Sequence, residues 1–105
     1  MRKIVNLDGK KAILDTESDD CIYLAPRGLD PARRQGTDIF LHVTKGGKKI
    51  FYKYVWTLYE HDVDYIDVIS EEEARKILEE KSQWLTDEDI TLLKQVFPDF
   101  FEETA

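Results

Sequence analysis

The sequence predicts an α+β fold, an antiparallel meander of about five strands with two C-terminal helices packed on one face. Three observations predict it. The stretch from Thr37 to Ser70, "TDIFLHVTKGGKKIFYKYVWTLYEHDVDYIDVIS", is dense in aromatic and β-branched residues with strand-like alternation. Turn pairs, Asp8-Gly9 and Gly46-Gly47, punctuate the first half. After Ser70 the apolar spacing becomes helical, and each helical stretch opens on a hydroxyl followed three residues later by an acid. A chain of 105 residues suits one core, so 1–105 reads as a single domain, mainly β over 1–69 and mainly α over 70–105.

The N-terminal third gives two short apolar segments around Asp8-Gly9, read as a hairpin, and then "CIYLA" as a further strand. Residues 26–36 form a polar loop in which Asp30 and Pro31 are suited to cap one helical turn. Gly46-Gly47 is read as the two-residue loop of a type I′ turn, which needs positive φ at both central positions. That loop pairs Val43 with Ile50, Leu41 with Tyr52 and Ile39 with Tyr54, and sets Phe40 opposite Lys53. A five-residue loop over Glu60–Asp64 then pairs Leu58 with Ile66 and Trp56 with Val68. Both turns place Ile39, Leu41, Val43, Ile50, Tyr52, Tyr54, Trp56, Leu58, Ile66 and Val68 on one face, the expected core beneath the helices. The first helix starts at the Ser70–Glu73 pair and carries Ala74, Ile77 and Leu78 toward Trp84. The second starts at Thr86–Asp89, carries Ile90, Leu93 and Phe97, and stops at Pro98.

Charge is unevenly spread. The net charge is −7, yet residues 1–55 hold 11 Lys and Arg against 7 Asp and Glu, and residues 56–105 hold 4 against 15. Acidic helices packed on a more basic sheet account for this most simply. Cys21 is the single cysteine, so no internal disulfide forms, which favours a reducing compartment. No long apolar run opens the chain, and the expectation is a cytoplasmic protein without a membrane anchor.

The function classes narrow accordingly. No nucleophile–base set, phosphate-binding glycine loop or metal-ligand spacing stands out, so no catalytic residue, metal or cofactor is assigned. Cys21 lies in the apolar context "DCIYLA", where thiols are inert, and the acidic turn "EHDVD" reads as solvated. The leading expectation is a non-catalytic protein acting by protein–protein contact or as a homodimer. Its surface is the mixed second face, represented by Phe40, His42, Phe51, Lys53, Tyr59 and Tyr65. One alternative is a nucleic-acid-binding regulator using Arg27, Arg33, Arg34, Lys45, Lys48 and Lys49 on phosphates; the sequence pI near 4.8 argues against it. Another is a small-ligand domain or enzyme with an aromatic pocket at Tyr52, Tyr54 and Trp56. The terminal "FPDFFEETA" is expected to fold its Phe100-Phe101 pair back onto the domain.

Overall fold

A computed structural model describes residues 1–7, 9–26, 34–59 and 61–99, the side chain of Trp84 apart. These residues form β1 (Arg2–Leu7), β2 (Lys10–Asp15), β3 (Asp20–Tyr23), β4 (Gln35–Val43), β5 (Lys49–Thr57), β6 (Tyr65–Ile69), α1 (Glu71–Glu80) and α2 (Asp87–Val96). A single 3-10 turn, Ser82–Trp84, joins the helices. The α+β class and the C-terminal helices are as expected. The strands, however, divide into two sheets: the β1–β2 hairpin, and a four-stranded antiparallel sheet in the order β3-β4-β5-β6.

The first hairpin forms where the sequence places it. Leu7 pairs with Lys10, leaving two residues in the loop, and Gly9 takes φ +84°, the left-handed region glycine enters without steric cost. Asp8 itself lies outside the described residues, as do Asp30, Pro31 and the Phe100-Phe101 pair.

The second turn differs from the two-residue loop, and the difference moves everything downstream. Gly47 N–H donates to the Thr44 carbonyl at 2.9 Å, and Thr44 N–H donates to the Lys48 carbonyl at 2.9 Å. The loop therefore holds Lys45, Gly46 and Gly47, a turn closed by one left-handed residue, Gly47 at φ +85°. Thr44 Oγ1 also accepts from Lys48 N–H at 3.0 Å, satisfying an amide the turn would otherwise expose. With three loop residues the register becomes Val43↔Lys49, His42↔Ile50, Leu41↔Phe51, Phe40↔Tyr52 and Ile39↔Lys53, one position from that expected. Because faces alternate every residue, this slip turns β5 over relative to β4.

A glycine scan tests this turn. Gly47→Ala is expected to cost about 1 kcal/mol, since a side chain resists positive φ there. Gly46→Ala should be near neutral, its Cβ meeting nothing closer than Thr44 Oγ1 at 3.9 Å. Equal losses at the two positions in urea unfolding would point back to a two-residue turn.

The β5–β6 connection is longer than five residues. Val55 pairs with Tyr65, Tyr54 with Ile66 and Tyr52 with Val68, so Leu58 and Trp56 do not meet Ile66 and Val68. Asp64 supplies the reason. Its carboxylate accepts from Thr57 N–H at 2.8 Å and from the Tyr54 hydroxyl, taking the place a continued ladder would hold. The shift is an even number of residues, so β5 and β6 keep the expected relative facing.

Apolar side chains consequently fill both sides of the sheet. On one side Ile39, Leu41, Phe51 and Ile69 meet Ala74 and Leu78 of α1, Leu93 and Val96 of α2, and Phe97, whose ring stacks on Phe51 at 5.2 Å. On the other, Phe40, Ile50, Tyr52 and Ile66 meet Leu14 of the first hairpin, with Val5, Leu7 and Ala12 against them. Of the expected single core face, Ile39 and Leu41 lie under the helices, Ile50, Tyr52 and Ile66 under the hairpin, and Val43, Leu58 and Val68 remain exposed. The molecule has three layers: helices, sheet, hairpin. Each fully buried Leu or Ile contributes about 1.5–3 kcal/mol, so Leu14 is the hairpin's main anchor.

Both helix starts match the sequence. Ser70 Oγ accepts from Glu73 N–H at 3.1 Å, and Thr86 with Asp89 forms a reciprocal capping box. Three acids occupy the first turn of each helix, where the dipole favours them. At the end of α2 the Arg75 guanidinium lies 4.5 Å from the Phe97 ring centroid and pairs with Asp99 at 3.0 Å, holding that carboxyl below its usual range. None of the described helices is long and apolar enough to cross a membrane.

Candidate binding groove between two hairpin tips

The inward face of the first hairpin carries Leu14, Ala12, Val5 and Leu7, and seating it on the sheet brings its tip beside the β4–β5 turn. Between the tips runs an open groove of about 790 Å³. Lys10 and Lys11 line it from β2, Lys45 and Lys48 from the turn. Leu7, Ala12, Ile13 and Val43 supply its apolar surface, and His42 its inner wall. The described lining residues include four lysines and no carboxylate, in a protein whose net charge is −7. A lining with lysines and no carboxylate among its described residues favours a local positive potential that the overall charge does not cancel at short range.

His42 is held from behind. Its Nδ1 donates to Asp19 Oδ1 at 2.7 Å, while Asp19 Oδ2 accepts from the Tyr52 hydroxyl at 2.7 Å and from Asp15 N–H at 2.9 Å. The Asp19 side chain is 10 % exposed and that of His42 21 %. Three donors from three strands, β2, β4 and β5, fix the carboxylate, and the carboxylate fixes the imidazole through Nδ1. The turn carrying Asp19 is itself braced by Asp15, which accepts from Glu17 N–H at 3.0 Å. That bond, with Ser18 and Arg2, keeps the Asp15 carboxyl below its usual range. Burial, reinforced by the hydrogen bond to Asp19, pushes the Tyr52 hydroxyl well above the ordinary tyrosine range, so it stays a donor.

The sequence-assigned residues scatter. Phe40 and Phe51, each 4 % exposed, are core residues on opposite sides of the sheet, and Phe40 stacks on Tyr52 at 5.3 Å. The one-residue register change separates them, so the six residues expected on one mixed face do not share a surface. His42 enters the groove. Lys53 lies 3.9 Å from Asp67 on the helix side, and Tyr59 and Tyr65 are exposed near the β5–β6 connection. Of the six basic residues, Lys45 and Lys48 line the groove. Lys49 is exposed at the start of β5, Arg34 is exposed ahead of β4, and Arg27 and Arg33 lie outside the described residues. In the proposed aromatic pocket, Tyr52 and Trp56 are buried and their polar atoms bond Asp19 and Asp38, while Tyr54 bonds Asp64. Cys21 is partly buried and its thiol donates to the Tyr23 carbonyl at 3.4 Å. Among the described residues no three His, Cys, Asp or Glu side chains converge as a cation site.

Sequence reading missed Lys10, Lys11 and Asp19. The available signal was a repetition: each glycine turn is followed at once by a lysine pair, "DGKK" and "GGKK". No protein-family model, curated protein or solved structure matches the chain, so the groove is read on its own chemistry.

Proposed function

We propose that this is a non-catalytic binding domain that holds an acidic, partly apolar segment of a partner protein in the lysine-lined groove. The observation supporting it is the composition of the lining: four lysines together with Leu7, Ala12, Ile13 and Val43. A peptide with alternating carboxylates and aliphatic side chains satisfies both halves of that lining. Single-stranded nucleic acid fits it less well, because bases seek rings to stack on, and among the described lining residues the imidazole of His42, 21 % exposed and tied to Asp19, is the single ring. A sequence with a single cysteine, Cys21, can form no disulfide within the chain, which agrees with a reducing, cytoplasmic setting for such a domain.

Fluorescence anisotropy with a labelled glutamate–leucine peptide tests the reading. Binding is expected to weaken as salt rises, and the Lys10→Glu/Lys45→Glu double variant is expected to raise Kd by about tenfold or more. Oligothymidine is the comparison ligand. Tighter binding of oligothymidine than of the peptide, or peptide binding indifferent to the double substitution, would overturn it.

A further inference from the structure

We infer that the partner segment binds in the groove as an added strand, hydrogen-bonded along the free edge of β2; the inference rests on the reading just given. β1 and β2 form a two-stranded sheet, so each has one edge without a neighbouring strand. The bonds at the open end of the hairpin show which groups of β2 face that edge. Thr16 N–H donates to the Met1 carbonyl at 3.0 Å, whereas Asp15 N–H turns away from β1 to Asp19 Oδ2 at 2.9 Å. The Asp15 carbonyl turns the same way and accepts from the N–H groups of Ser18 and Asp19. Along an antiparallel strand this direction alternates from one residue to the next. The register is unbroken from Arg2↔Asp15 to Leu7↔Lys10, so the N–H and C=O of Lys11 and Ile13 point outward with those of Asp15. Among the described residues nothing pairs with these two donors and two acceptors.

The groove runs along this edge. Successive side chains of a strand point to opposite faces, so a hollow over one face of β2 would be lined by alternate residues. Lys10, Lys11, Ala12 and Ile13 instead line it in succession, and of β1 only Leu7, beside the turn, takes part. The open stretch ends at Asp15, whose N–H the Asp19 carboxylate already holds. Charge then selects the occupant. Lys10 shares the sheet-facing side of the hairpin with Ala12, and Lys11 shares the outer side with Ile13, which is 56 % exposed. A second copy entering by the same edge would set lysines against lysines on both sides, and like charges opposite one another are destabilising. An acidic strand meets a lysine on either side, while its aliphatic residues cover Ala12, Ile13 and Val43. Main-chain bonds supply affinity in this mode, and the flanking side chains choose the sequence.

Two modified glutamate–leucine peptides test the mode on the full chain, one N-methylated at every leucine and the other at every glutamate. Only alternate amides of an added strand face β2, so the two Kd values are expected to differ by about fivefold or more in fluorescence anisotropy. Amide hydrogen exchange on the unsubstituted protein reads the same contact from the other side. Saturation with the unmethylated peptide is expected to slow exchange at Lys11 and Ile13 by about tenfold or more. Ile4, which pairs with Ile13 and turns its own N–H to the free edge of β1, should be unchanged. Peptide binding with a smaller difference between the methylated forms, or without slowing at Lys11 and Ile13, overturns this inference and leaves the groove reading standing. No binding of the unmethylated peptide overturns both.

Discussion

Replacing Asp38 by alanine is expected to cost about 2–5 kcal/mol, a large share of the 5–15 kcal/mol that holds a domain together. Asp38 sits in β4 opposite Tyr54 and is 1 % exposed. Its Oδ1 accepts from Ala25 N–H at 2.8 Å and from Trp56 Nε1–H at 3.0 Å. One carboxylate thus ties the segment after β3 to the far end of β5. Alanine would strand both donors in a dry interior, where each unsatisfied group costs about 1–3 kcal/mol. Asp38→Asn separates hydrogen bonding from charge, because its amide oxygen still accepts from both donors, and should lose less than half as much. Tyr23, whose hydroxyl is pushed up first by burial and then by the Asp38 charge, should titrate closer to its ordinary range in both variants. Urea unfolding measures the loss as a lower midpoint at unchanged slope. An unfolding free energy within about 0.5 kcal/mol of the parent would mean that water reaches the two donors.

The register of β4 and β5 shows where sequence reading stops. "KGGK" is compatible with a two-residue turn carrying two left-handed glycines and with a three-residue turn carrying one. What selects the second is local: Thr44 pairs with Lys48 through backbone and hydroxyl together, and Gly46 keeps ordinary φ. A different clue was legible. Ile39-Phe40-Leu41 and Ile50-Phe51-Tyr52 are unbroken apolar runs, the signature of a strand covered on both faces. Read that way, the runs require a second covering layer, and the hairpin with Leu14 and Val5 was there to supply it. The helix starts were plain because Ser70–Glu73 and Thr86–Asp89 act within one turn.

The groove was partly legible for the same reason. Lysine pairs beside glycine turns are local and visible, but the adjacency of the two tips depends on how the hairpin docks, and Asp19 reaches His42 across 23 residues of sequence. No period or spacing encodes such a contact. It follows from the packing of Leu14 against Phe40, Ile50 and Tyr52, which brings the β2 turn over the sheet.

The same packing logic makes Gly36 intolerant of a side chain. Gly36 pairs with Trp56, and a Cβ built there would stand 2.7 Å from Trp56 Cζ2 and 3.0 Å from Ala25 Cβ. The cause is steric and not conformational, since the backbone at Gly36 does not enter positive φ. Trp56 cannot tilt away freely, because its indole N–H is held by Asp38 and the ring is 3 % exposed. Gly36→Ala is therefore expected to cost about 1–3 kcal/mol by overpacking, and Gly36→Val more. A double-mutant cycle isolates the contact: beside Trp56→Leu, already destabilised in its own right, the further cost of Gly36→Ala should shrink to below about 1 kcal/mol. An equal cost in both backgrounds would place the clash on Ala25, and Trp56 would then pack over this glycine without depending on it.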